Sequence, residues 1–162
     1  MTQILCYSRN RTTQVEEGRD QTLKASCRLQ DTALEAYVEI EIKSPDLEIV
    51  RVQGTILRSS DGQAMDVSES LQKVVGVRVG PGLKKILKGL LGGSALIKQL
   101  TFMIEECCGG VILAFTKEVL IQAPKDKETE KAFFKQMVQA NPRLYDSCAA
   151  FAPGSPLVEG LK

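Results

Sequence analysis

Histidine is absent from this 162-residue sequence, and its absence narrows the chemistry more than any residue present. Without imidazole the chain lacks the commonest general base and the commonest metal ligand. Serine–histidine and cysteine–histidine nucleophile pairs are excluded outright. An excess of one charge is missing too: 21 Lys and Arg stand against 20 Asp and Glu, for a formal net charge of +1. That balance exerts no general pull towards nucleic acid or an anionic membrane. Long hydrophobic runs are also missing. The longest uncharged apolar stretch, Cys107 to Thr116, falls far short of the roughly 20 residues that span a bilayer. The opening Met-Thr-Gln-Ile-Leu-Cys-Tyr-Ser-Arg has no charged-then-apolar secretory pattern. The expectation is a cytoplasmic protein that binds neither nucleic acid nor membrane.

Cysteine is present but in no recognisable pattern. Cys6, Cys27, Cys107, Cys108 and Cys148 are odd in number and irregular in spacing, so neither a disulfide framework nor a Cys-x-x-Cys metal site is visible. Reduced, mostly buried thiols are the simpler reading.

What is there reads as strands first and helices afterwards, an α+β order. Leu23, Ala25, Cys27 and Leu29 share one face of a strand over Thr22–Gln30. Leu34, Ala36, Val38, Ile40 and Ile42 alternate with Glu35, Tyr37, Glu39, Glu41 and Lys43. A third run covers Leu47–Arg58, and short links at Asp31-Thr32 and Ser44-Pro45-Asp46 join antiparallel neighbours. Ile4–Arg9 with Thr12–Glu16 adds a hairpin, giving a meander of three to five strands, wet on one face. The loop Ser59-Ser60-Asp61-Gly62 ends the sheet.

From Asp66 the period becomes helical. Asp66 and Glu69 have capping-box spacing, with Val67, Leu71, Val74 and Val75 as the stripe and Gly76 at the exit. After Gly80-Pro81-Gly82 a second helix turns Leu83, Ile86, Leu87, Leu90 and Leu91 inward and Lys84, Lys85 and Lys88 outward. Ser94 caps a long helix to about Leu120, whose apolar C-terminal half is expected to be the central buried element. A last helix, with Ala132, Phe133, Met137 and Val138 inward, stops before Asn141-Pro142, and an irregular tail follows. Three to four helices thus pack on one face of the sheet. The expected organisation is one α+β core domain over 1–122, with the C-terminal helix and tail of 123–162 packed on it.

Three groups invite a functional reading. Glu35, Glu39 and Glu41 lie side by side on one strand face, and a desolvated carboxylate pair could do acid–base work. The solvated face of an amphipathic strand explains them more simply. Cys107 and Cys108 form a vicinal dithiol, but both lie on a core stripe and diverge by about 100° around the helix. Core packing accounts for both. Gly80, Gly82, Lys84, Lys85, Lys88, Gly93 and Ser94 bring two glycine turns, lysines and two helix starts together, where an anion could bind. That stretch has neither Walker nor dinucleotide spacing, and turn and stop chemistry explains its glycines.

The segment Val74-Val75-Gly76-Val77-Arg78-Val79-Gly80-Pro81-Gly82, then Leu91-Gly92-Gly93 and a long helix, resembles the bacterial family known as domain of unknown function 2889. Leu29-Gln30-Asp31-Thr32 is similar to that family's Leu-x-Asp segment, and Leu144-Tyr145-Asp146-Ser147-Cys148-Ala149 to its late Leu-Asp-Thr-Cys-His segment. The departures carry the most information. The resemblance implies histidines at positions that here read Leu34, Gln99 and Ala149, and a cysteine where this chain has Ile97. Only Cys148 survives of those candidate ligands. The element order also resembles the NifU/SufE-type fold of iron–sulfur assembly, which is an analogy of fold alone. A cluster scaffold needs thiolates, and none occurs around Gly62-Gln63-Ala64-Met65 or Ile97.

The sequence therefore favours a non-catalytic binding or interaction module over an enzyme, with no cofactor or metal. Its partner is an unspecified protein or small molecule, and a homodimer is compatible with the sequence. One alternative is an enzyme or sulfur-handling protein using Cys148. Another is anion or phosphate binding near Gly80–Ser94. Glu35 and Gln99 are positions where a remnant site would lie.

Overall fold

Alternation of apolar and polar residues places β2 (Thr22–Asp31) and β3 (Glu35–Lys43) at the centre of the sheet. β1 (Arg9–Glu17), β4 (Glu48–Arg58) and β5 (Met65–Asp66) complete it in the order β1-β2-β3-β4-β5, every neighbour antiparallel. In this computed structural model, residues 5–59, 64–146 and 149–161 are described. The helices are α1 (Ser68–Leu71), α2 (Leu83–Leu91), α3 (Ala95–Gln122) and α4 (Lys127–Ala140). An antiparallel meander followed by helices is the α+β architecture expected.

Two compact units follow from the packing: Met1–Val79 with Leu83–Leu113, and Gly80–Gly82 with Ala114–Lys162. In the first, Ala25, Cys27, Leu29, Ala36, Val38, Ile40, Ile42, Ile49, Val52 and Ile56 cover the inner sheet face. Leu71, Val74, Leu87 and the α3 residues Leu100, Met103, Ile104, Cys107, Cys108 and Val111 pack onto it. Each large side chain removed from water contributes roughly 1.5–3 kcal/mol, so this apolar layer is the main stabilising term. Gly54 interrupts the inner face of β4 because α1 crosses there. A Cβ at Gly54 would lie 2.6 Å from Leu71 Cδ1 and 3.1 Å from Val67 Cγ2. Val77–Val79 adds a short antiparallel path beside the start of β4, with Ile49 N–H donating to Val77 O and Val79 N–H to Leu47 O, both at 2.9 Å.

The second unit has its own small core. Phe134 and Val138 of α4 pack with Phe151 and Val158 of the tail. Asp126 caps α4 by accepting from Thr129 N–H at 3.1 Å.

Several local expectations are corrected. The Ile4–Arg9 and Thr12–Glu16 hairpin does not form: Leu5–Ser8 are irregular, and Arg9–Glu17 is one unbroken strand. β2 is long enough to pair with all of it, from Arg9 opposite Asp31 to Glu17 opposite Leu23. Ser60, Asp61 and Gly62 of the sheet-ending loop lie outside the described residues. The Asp66–Glu69 capping box is absent, because Asp66 pairs with Thr55 in the sheet while its carboxylate accepts from Ser68 N–H at 2.8 Å. α1 then gives way after one turn to a 3-10 turn, Gln72–Val74, which leaves Val75 exposed.

In α2 only Leu87 is fully buried, while Ile86 and Leu90 are exposed. The buried part of α3 runs from Leu100 to Val111, whereas Leu113, Leu120 and Ile121 face solvent. The apolar C-terminal half of α3 is therefore not the central buried element. In α4 the inward position is Phe134, and Ala132 is exposed. Apolar periodicity marks a stripe, but a short helix on a sheet buries only its line of closest approach.

Candidate ligand-binding site

Asp31 organises the end of the sheet. It closes β2, and its Oδ1 accepts from Ala33 N–H at 2.9 Å and Leu34 N–H at 2.7 Å, fixing the turn into β3. Arg9, directly opposite in the β1 register, donates to Oδ2 from Nε at 3.0 Å and from Nη2 at 2.7 Å. The Asp31 side chain retains only 4% of its exposure. Burial pushes this carboxyl up, but Arg9 and the two backbone donors outweigh it and hold the carboxyl below its usual range. Arg58 closes the corner, donating to the backbone oxygens of Asp31 at 2.6 Å and Thr32 at 3.0 Å.

A cavity of about 420 Å³ opens beside this corner, lined by Arg9, Asp31, Leu34, Ile56, Leu96 and Gln99 among others. Its walls are largely apolar. Gln99 is half-buried, and its amide makes no hydrogen bond among the described residues. With both oxygens of Asp31 occupied, the uncommitted polar groups here include the Gln99 amide and the spare donors of Arg9. Arg9 has five N–H groups, of which Asp31 takes two. Leu34 and Gln99, two of the three positions where the family resemblance implies histidine, thus line one cavity. The third, Ala149, belongs to the second unit.

Glu35 does not join this site. Its side chain lies on the outer sheet face, paired with Arg28 Nη2 at 2.5 Å. Glu39 pairs with Lys24 at 3.0 Å and accepts from Tyr37 O–H at 2.8 Å, and Glu41 pairs with Arg51 at 3.3 Å. The three carboxylates are therefore half-buried under cross-strand ion pairs on the polar, solvent-facing side of the sheet.

The glycine–lysine stretch is divided. Lys88 and Gly93 line a second cavity of about 470 Å³, with Lys98, Thr101, Phe102 and Glu105. Lys84 lines a third, and Gly80, Gly82, Lys85 and Ser94 line none of these three. Ser94 caps α3 instead, its Oγ accepting from Ile97 N–H at 3.4 Å. The Glu105 carboxylate in the Lys88 cavity works against an anion there.

Cys27, Cys107 and Cys108 are fully buried. Burial pushes the Cys107 thiol up strongly and the Cys108 thiol up to about 12, so neither is a thiolate at neutral pH. Cys6 is exposed. Cys148 lies outside the described residues. Among the described residues no cluster of Cys, Asp and Glu could hold a metal ion, and no helix is long and apolar enough to cross a membrane.

Arg9 carries no flag in the sequence, and Asp31 is marked only by the turn signal Asp31-Thr32 and by the Leu-x-Asp segment of the family resemblance. An aspartate at a strand end, followed three residues later by the next apolar run, marks an Asx turn. Its guanidinium partner is set by the register of a strand 22 residues away. Comparison with family models, with curated proteins and with solved structures yields no match to this chain.

Proposed function

We propose that this protein is a non-catalytic binding module, and that it holds a small, mainly apolar ligand bearing a carboxylate or carboxamide in the Asp31 cavity. The observation that carries the reading is Gln99, a half-buried residue whose amide has no hydrogen-bond partner among the described residues, in a wall shared with Arg9. A ligand can bond to this amide without displacing a protein partner. Arg9 supplies spare donors for a carboxylate oxygen, and Leu34, Ile56 and Leu96 supply the apolar wall.

Binding is favoured over catalysis because Asp31 is poorly suited to proton transfer. Its carboxyl is held ionised, and both oxygens already accept hydrogen bonds. The three described buried thiols are protonated and inaccessible.

Descent from domain of unknown function 2889, with the histidine positions replaced, belongs to the same proposal and is supported by Leu34 and Gln99 sharing one cavity. A reducing, cytoplasmic setting suits the unpaired Cys27, Cys107 and Cys108.

The test is a ligand-observed screen of small aryl and alkyl carboxylates and amides, followed by chemical-shift mapping. Shifts should cluster at Ala33, Leu34, Ala95, Leu96 and Gln99 and disappear in Gln99→Leu. A screen with no binder, or binders that map elsewhere, would overturn the assignment.

A further inference from the structure

We propose that β1 is a dimerisation edge at which a second copy of this chain adds antiparallel to the sheet about a twofold axis through Thr13. β1 is the outermost strand, nine residues long, with Thr13 and Val15 half-buried and the other seven exposed. Its free side is defined by the bonds that flank its pairing with β2. Gly18 N–H donates to Thr22 O at 2.8 Å, and Thr32 N–H to Ser8 O at 3.2 Å. Both pairs continue the β1–β2 register, in which Asn10, Thr12, Gln14 and Glu16 lie opposite Gln30, Arg28, Ser26 and Lys24. In an antiparallel ladder, bonded residues alternate with unbonded ones. The even-numbered residues of β1 therefore spend their backbone groups on β2. Arg9, Arg11, Thr13, Val15 and Glu17 point their N–H and C=O groups to the open edge.

An exposed edge of this length normally invites unspecific pairing unless charge blunts it. Here the charge is arranged in opposition. Arg9 and Arg11 occupy one end, Glu16 and Glu17 the other, and Thr12, Thr13 and Gln14 lie between. A copy reversed about Thr13 sets Arg9 opposite Glu17 and Arg11 opposite Val15. Thr13 meets Thr13, and about ten backbone hydrogen bonds form. A parallel copy in register would stack like charges, so the sequence selects the antiparallel, twofold arrangement that closed dimers use.

The flank of the edge supports the same occupant. Thr13, Phe102, Gly109, Gly110 and Leu113, together with the charged Lys84, Glu105 and Glu106, line a cleft of about 370 Å³ beside β1 and α3. α3 approaches β1 closely there, since a Cβ on Gly110 would lie 3.0 Å from Val15 Cγ2. Leu113 is 71% exposed at the rim of this cleft. Pairing through Thr13 brings the two clefts together across the axis and covers both Leu113 side chains. This inference does not depend on the ligand site.

Sedimentation velocity of the full chain over micromolar to sub-millimolar concentrations tests it. The wild type should sediment as a dimer. Thr13→Pro removes a donor that faces outward and leaves the β2 ladder intact, so it should weaken the dimer at least about ten-fold with an unchanged far-ultraviolet spectrum. A second variant keeps the test decisive if proline unfolds the strand. Thr12 and Gln14 of the second copy would face each other as a non-bonded pair with Cα atoms about 4.5 Å apart, within disulfide reach. Thr12→Cys/Gln14→Cys in a Cys6→Ser background should then cross-link on mild oxidation, whereas Thr12→Cys alone should not. A monomeric wild type, a Thr13→Pro variant that folds and remains dimeric, or no cross-link above the single-cysteine control would overturn the proposal.

Discussion

Gly54 and Leu71 touch where α1 crosses the sheet: the place a Cβ would take on Gly54 lies 2.6 Å from Leu71 Cδ1. A β4 residue with any side chain must push that leucine away. Gly54→Ala should therefore destabilise the protein by about 1–3 kcal/mol, the usual range for overpacking a filled core. Leu71→Ala should cost about 2–5 kcal/mol by itself. In the double variant the new methyl enters the space the leucine vacates, so the combined loss should be smaller than the sum. Urea denaturation of the two single variants and the double variant gives the coupling directly, and strict additivity would refute the contact as the cause.

The Arg9–Asp31 pair predicts an acid-sensitive component of stability. The folded carboxyl lies below its ordinary value, so its contribution is fully present above the unfolded value of about 3.9. It is lost as pH falls through the folded value. Asp31→Asn should reduce stability at pH 7 by about 1–3 kcal/mol, because Arg9 and the turn lose a charged acceptor. The gap between wild type and variant should narrow below about pH 4. Urea midpoints measured across acidic pH would show this, and parallel pH curves would contradict it.

Gln99 should behave as a residue held for binding rather than for folding. Among the described residues its amide has no protein partner to lose, so Gln99→Leu should leave the stability of the ligand-free protein within about 0.5 kcal/mol. A thermal melt of the variant checks this. A large drop in melting temperature would mean that the amide has a structural role.

Thiol labelling should separate the cysteines by burial. On the native protein, iodoacetamide should modify Cys6 and spare Cys27, Cys107 and Cys108, which are fully buried. In denaturant all should react. Peptide mapping by mass spectrometry gives the order. The same map reads Cys148, and rapid native labelling there would favour the sulfur-handling alternative over the binding module.

The sheet was the legible part of the fold, because a half-buried strand writes its environment in period two. Ala36, Val38, Ile40 and Ile42 could face only one way once Glu35, Tyr37, Glu39 and Glu41 faced the other. Helical stripes overstated burial. Ile86 and Leu90 follow the same periodicity as Leu87, yet only Leu87 lies on the line where α2 meets the core. The hairpin expected from Ile4–Arg9 and Thr12–Glu16 failed because the length of β2, not local turn chemistry, decides how far β1 extends.

The candidate site was less legible for a related reason. Asp31 reads locally as a turn residue, while its tie to Arg9 and its proximity to Gln99 depend on strand register and on where α3 begins. Gln99 drew notice through the family resemblance rather than through any pattern of its own. Gly80, Gly82, Lys85 and Ser94 were close in sequence, and yet that closeness did not gather them around one cavity.

The ion pairs of the outer sheet face have a consequence at longer range. Lys24, Arg28 and Arg51 sit against Glu39, Glu35 and Glu41 at 3.0, 2.5 and 3.3 Å. Opposite charges so close cancel within less than the roughly 8 Å Debye length of physiological salt. From solution these three pairs are electrically quiet: they gather few counterions, and they neither steer nor repel a charged molecule that approaches.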